Sequence, residues 1–172
     1  AFSTRRVAPL ILGIAADPRE PAAARVKAIR AAGAFPTAET IRTIVLAAAG
    51  TPAPEMRLAS EVVLRHFPPK LLRRGLLPLL AHADTAVRRQ AAIFLADFLP
   101  EDPGVREALF ELWRGCGEEL ALEFVEPLQV LGGRDTVALL RQAVDRDPIL
   151  SYAAATALAR MRGEVPGEEI LA

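Results

Sequence analysis

The sequence predicts an all-α chain, a solenoid of about five antiparallel helix pairs forming a single domain over residues 1–172. Three observations predict it. One apolar pattern recurs five times, at a period of roughly 30–33 residues. The composition leans on alanine, leucine and arginine, which are good helix formers. Valine and isoleucine fall at helical spacing, with none of the alternation of a half-buried strand. Self-similarity at a period of about 20–50 residues marks a repeat array, in which neighbouring units bury the face that one unit cannot bury alone.

The elements follow in chain order. The first pair, residues 5–33, has an apolar stretch Val7–Ala16, a turn holding Pro18 and Pro21, and a second helix through Arg25, Ala28 and Ala32 closed by Gly33. The second pair, 37–67, opens at Thr37 with Thr40 behind it as an N-cap and runs over Ala38–Ala49. It breaks at Gly50, Pro52 and Pro54, and resumes through Met56, Arg57, Ser60, Val63 and Phe67. The third, 69–99, follows Pro68 and Pro69 with Leu71–Ala81, then an Asp84 cap and Val87, Arg88, Ala91, Phe94, Leu95 and Phe98. The fourth, 104–131, pairs Val105–Arg114 with a helix through Leu120, Phe124 and Leu128. Pro127 lies inside that helix, where it removes the bond to the Glu123 carbonyl and should kink or end it. The fifth, 134–162, follows Gly132 and Gly133, takes Asp135 and Asp147 as caps, and runs Thr136–Val144 and then Leu150, Ala154, Ala157 and Met161. Residues 163–172 read as a tail or as the start of a further helix around Glu168 to Leu171, which would make the chain part of a larger polypeptide.

Composition narrows the function classes. Hydrophobic residues make up 52% of the chain, too many for disorder. The single cysteine, Cys116, allows neither an intrachain disulfide nor a Cys-rich zinc site. Of the 21 basic residues only Lys27 and Lys70 are lysines, a bias that reads as the codon usage of a GC-rich bacterial genome. The longest apolar run, Val7 to Ala16, is far short of the roughly 20 residues of a membrane span. Asp17 follows it without a small-residue cleavage pattern, so it reads as a first amphipathic helix rather than a signal peptide, and a cytoplasmic location is expected. Net charge is zero, but residues 1–83 carry 12 Arg/Lys against 5 Asp/Glu and residues 84–172 carry 9 against 16, which is +7 and −7. Opposed halves allow head-to-tail self-association, or one partner with complementary charge at each half.

The third copy, with Asp84, Val87, Arg88, Ala91, Ala92 and Leu95 in a second helix, resembles the HEAT repeat. Pro9 and Pro78 inside first helices match that family too, and the resemblance covers roughly residues 5–162. The fourth copy departs from it, with Ala121 where the arginine should be. The tetratricopeptide alternative lacks its Trp, Gly, Tyr and Ala signature. The resemblance implies a right-handed superhelix whose second helices line a concave face. It also implies that the ladder Arg25, Arg57 and Arg88 reaches loop aspartates of neighbouring repeats, for which Asp17, Asp84 and Asp147 are the candidates.

Chemistry-bearing motifs are sparse, and no enzyme is expected. Iron-binding hydroxylases that resemble this class use paired His-Glu motifs, whereas His66 precedes Phe67 and His82 precedes Ala83. Neither histidine has the short helical partner that zinc or iron sites use. Cys116 has no nearby base to activate it, and no phosphate-cradling glycine loop is present. No cofactor is expected. HEAT-like DNA glycosylases line a basic face with aromatics, while this chain has one Trp113, one Tyr152 and no net charge. Nucleic acid is therefore the alternative reading, through a basic half in which Arg30, Arg65, Arg73, Arg74 and Arg89 would share a face. The leading expectation is a non-catalytic scaffold that binds a protein or peptide along second-helix columns outside the apolar stripe. One column is Val26, Leu58, Arg89, Leu122 and Tyr152, and the other is Arg30, Val62, Ile93, Glu126 and Thr156. From these, Arg30, Leu58, Val62, Arg89, Ile93, Leu122, Glu126 and Tyr152 are the candidate partner-binding residues.

Overall fold

The structure, a computed structural model, describes residues 4–50, 53–115, 117–144 and 147–161. Among them are ten α-helices and no strand: α1 Thr4–Ala16, α2 Ala22–Ala32, α3 Ala38–Ala49, α4 Pro54–Leu64, α5 Pro69–Leu76, α6 Thr85–Phe98, α7 Pro103–Gly115, α8 Glu118–Leu131, α9 Arg134–Val144 and α10 Pro148–Met161. A 3-10 turn, Leu77–Ala81, follows α5. Cys116 and the 163–172 tail lie outside the described residues.

Local chemistry accounts for most helix boundaries. Thr37 accepts a 3.0 Å bond from the Thr40 amide at the start of α3. Asp84 accepts from the Ala86 amide at 2.8 Å. Asp147 accepts from the Ile149 and Leu150 amides at 2.8 and 3.2 Å. These two carboxylates cap α6 and α10. Asp135 is not a cap, because α9 begins at Arg134, two residues earlier than the pattern implies. It sits in the first turn, where its charge favours the positive end of the helix dipole. The cap missed by the sequence pattern is Asp102, which accepts from the Gly104 and Val105 amides at 2.9 and 3.0 Å.

Proline acts here mainly as an opener. Pro54, Pro69, Pro103 and Pro148 each take the first position of a helix, where the missing N–H costs nothing. Pro78 behaves differently. It offers no N–H to the Arg74 carbonyl, and the expected single helix Leu71–Ala81 becomes α5 followed by the 3-10 turn. Pro127 does not end α8, which continues to Leu131.

The chain divides into two compact units, Ala1–Phe98 and Leu99–Ala172. In the first, α1 packs on α2 and α3, α3 on α4, α5 and α6, and α2 on α4, while α6 also packs on α5 and the 3-10 turn. Its core includes the fully buried Ile29, Ile41, Ile44, Met56, Leu64, Leu76 and Leu95. The α3–α5 contact is very close, since a methyl placed on Gly75 would lie 2.7 Å from Ile41 Cγ2. In the second unit α7 packs on α8, α8 on α9 and α10, and α9 on α10, around Leu109, Trp113, Phe124, Leu128 and Leu140.

The arginine ladder does not repeat as one motif. Arg25 is buried in the first unit, and its Nε and Nη2 donate to the carbonyls of Ala15 at 3.1 Å and Ala47 at 3.3 Å. One guanidinium thus ties α2 to the C-terminal ends of α1 and α3, where helix carbonyls lack intrahelical partners and the dipole favours a cation. Arg88 turns back on its own loop, donating to His82 O at 2.7 Å, Ala83 O at 2.9 Å and Thr85 Oγ1 at 2.7 Å. Arg57 is exposed. The loop aspartates serve nearby amides instead, Asp17 accepting from the Arg19 amide at 2.9 Å. In the second unit Arg106 makes a comparable tie, to Pro100 O at 3.3 Å and Gly132 O at 3.5 Å, with its guanidinium 5.5 Å from the Phe110 ring centre.

Candidate partner-binding groove

Within the second unit, α8 and α10 pack side by side and leave an open groove of about 470 Å³ between them. From α8 come Leu122, Val125, Glu126, Gln129 and Val130, the spacing of one helix face. From α10 come Tyr152, Ala153, Thr156, Ala157 and Arg160, again one face. Val125 and Ala157 are buried and form the floor. Leu122, Val130 and Tyr152 stand as the walls, exposed at 40%, 41% and 77%. The Thr156 hydroxyl donates to the Tyr152 carbonyl at 2.8 Å, so its proton is spent within α10. Glu126 and Arg160 place one charge of each sign along the groove, Glu126 also being engaged within the chain.

Three of the eight residues expected from the sequence, Leu122, Glu126 and Tyr152, therefore meet at one place. Four others are surface residues of the first unit. Arg30 on α2 and Arg89 on α6 are exposed, and Leu58 and Val62, one turn apart on α4, are exposed at 60% and 50%. Ile93 is different: it is only 6% exposed and offers no free surface. Its place in the column assumes one buried face per second helix, but α6 buries every residue from Gln90 to Ala96. The sequence columns do not contain Val130, Gln129, Ala153 and Arg160. Val130 and Arg160 lie eight residues beyond Leu122 and Tyr152, so carrying the first column about two turns further along α8 and α10 would find them.

The other candidates resolve into local roles. Trp113 is 2% exposed and packs in the core. His66 Nδ1 sits 2.8 Å from Val62 O and donates to that carbonyl, while His82 Nδ1 accepts from the Asp84 amide at 3.1 Å. The five arginines of the basic half fall on different elements, Arg30 on α2, Arg65 just after α4, Arg73 and Arg74 on α5, and Arg89 on α6. Arg65 pairs with Glu61 at 2.9 Å and Asp97 at 3.1 Å, its guanidinium 5.6 Å from the Phe98 ring centre. Arg73 and Arg74 lie on α5 beside Lys70, Leu77 and Pro78, around a cleft of about 390 Å³. Among the described residues, no three His, Cys, Asp or Glu side chains are grouped as metal ligands, and no helix is long and apolar enough to cross a membrane.

No protein-family model matches the chain, and comparisons with curated proteins and with solved structures found no match.

Proposed function

We propose that this chain is a non-catalytic, HEAT-like helical array that binds another protein through the α8–α10 groove. Helices adjacent in the chain pack together as α1 with α2, α3 with α4, α7 with α8 and α9 with α10, which supports a reading as stacked pairs. The contacts of α1 with α3, α3 with α5, α2 with α4 and α8 with α10 support layers of like helices within each unit. The observation that carries the binding assignment is the groove itself. Leu122, Val130 and Tyr152 remain solvent-exposed around a floor of Val125 and Ala157. Fully burying a Leu or Val side chain is worth about 1.5–3 kcal/mol, and Leu122 and Val130, exposed at 40% and 41%, leave roughly two fifths of that for a partner.

A ligand suited to this shape is an amphipathic helix whose apolar anchors enter between α8 and α10. Tyr152 has the character of a hot spot: a large ring, two side-chain torsions to immobilise and a polar tip at the rim. The test is affinity capture from native lysate with the wild type, Tyr152→Ala and Leu122→Asp side by side. The reading expects a partner held by the wild type and lost by both variants, with the helical circular dichroism of all three unchanged. A partner retained by both variants places binding elsewhere and overturns the assignment.

A further inference from the structure

The first unit carries 14 Arg/Lys against 7 Asp/Glu, a net of +7, and part of that excess is gathered at one place. Lys70, Arg73 and Arg74 have the i, i+3, i+4 spacing of one helix face, and all three are exposed. With Leu77 and Pro78 they line the cleft of about 390 Å³, and no carboxylate is among the lining residues. Arg73 and Arg74 fall in the last turn of α5, where the helix dipole favours a cation, while like charges at this spacing cost a few tenths of a kcal/mol per pair. Arg73 is also engaged within the chain, which leaves Lys70 and Arg74 as the principal cations of the cleft. The close contact between Gly75 and Ile41 then matters for electrostatics. It presses α5 onto α3, and Arg42, the residue after Ile41, is exposed on that neighbouring helix as Arg74 is on its own.

We infer that this face of α3 and α5 binds the phosphate backbone of a nucleic-acid duplex without reading its sequence. Arg42, Lys70 and Arg74, three cations on two packed helices, address several phosphates, whereas a single phosphorylated side chain offers only one. Leu77 and Pro78 provide no aromatic ring for base stacking, and the lining holds no Asn or Gln to pair with adenine. Affinity therefore comes from counterion release, with a slope of log K against log salt of about −0.9 for each phosphate neutralised. Three contacts, by Arg42, Lys70 and Arg74, give a slope of about −3. The site is on the first unit and does not depend on the α8–α10 groove.

The experiment is fluorescence anisotropy of a labelled duplex of about 20 base pairs, titrated with the full chain between about 50 and 200 mM salt. Binding with a slope of about −3 is expected. Lys70→Glu with Arg74→Glu should remove binding at the lowest salt. Arg19→Glu with Lys27→Glu changes the net charge equally, on the α1–α2 turn and on α2, and should keep most of the affinity. Circular dichroism verifies that each variant is folded. Absence of binding at about 50 mM salt overturns the inference. So does equal loss in both double variants, which would make net charge the whole effect, or displacement of the duplex by a phosphoserine peptide at equal phosphate concentration.

Discussion

Replacing Gly75 by alanine adds one methyl group to α5, and helix propensity alone makes that change stabilising by about 1 kcal/mol. The packing opposes it. The added carbon would lie 2.7 Å from Ile41 Cγ2, 2.8 Å from Ile41 Cβ and 3.0 Å from Ile41 Cδ1. An ordinary carbon contact is about 3.5–4.0 Å. Ile41 is fully buried, so its side chain has nowhere to swing, and α5 must move away from α3 by about 1 Å to restore that spacing. Overpacking of this kind costs about 1–3 kcal/mol, and a clash with three atoms of one rigid side chain belongs at the upper end. The expected net effect is a loss of about 2 kcal/mol, read from urea unfolding followed by far-ultraviolet circular dichroism. A double-mutant cycle with Ile41→Ala identifies the cause. That change removes the Cγ2 and Cδ1 contacts and leaves only Cβ, so Gly75→Ala should cost at least about 1 kcal/mol less in that background. If Gly75→Ala stabilises the chain, or if the two changes add, the close approach of α3 and α5 is wrong.

Arg25→Met should cost about 2–4 kcal/mol in the same assay, because it keeps the aliphatic packing but strips a buried charged donor from the carbonyls of Ala15 and Ala47. Arg25→Lys should recover only part of this, since an ammonium lacks the planar fork that reaches two carbonyls at once. A cost below about 0.5 kcal/mol for Arg25→Met would remove the tie between α2 and the ends of α1 and α3. Asp147→Ala should cost about 1 kcal/mol by uncapping α10, with Asp147→Asn close to wild type. Hydrogen exchange of the first-turn amides of α10 reads this directly, and unchanged protection at Leu150 would contradict the cap.

Helices are legible in the sequence to the extent that their signals are local. Ala38–Ala49 matches α3 residue for residue, because Thr37 and Gly50 bound it within the chain itself. Proline carries two opposite signals. The ring excludes a residue from a helix interior and suits it to the first turn, and only the path of the backbone decides between the two at Pro54, Pro69, Pro103 and Pro148. Ile93 misleads for another reason. A stripe reports the most buried face of a helix, and it is silent on whether the remaining faces are covered as well.

Residue order is enough to specify the all-helical class, most helix positions, the caps at Thr37, Asp84 and Asp147, and a separation of charge that persists when the chain is divided at Phe98. Each of these depends on residues within one or two turns, or on simple counting. Packing is what brings Arg25 to the ends of two other helices and lets α5 touch Ile41 at Gly75. Packing also sets Leu122, Glu126 and Tyr152 around a common groove with Val130 and Arg160. Those arrangements join residues distant in the chain, and no local propensity specifies which helix faces which.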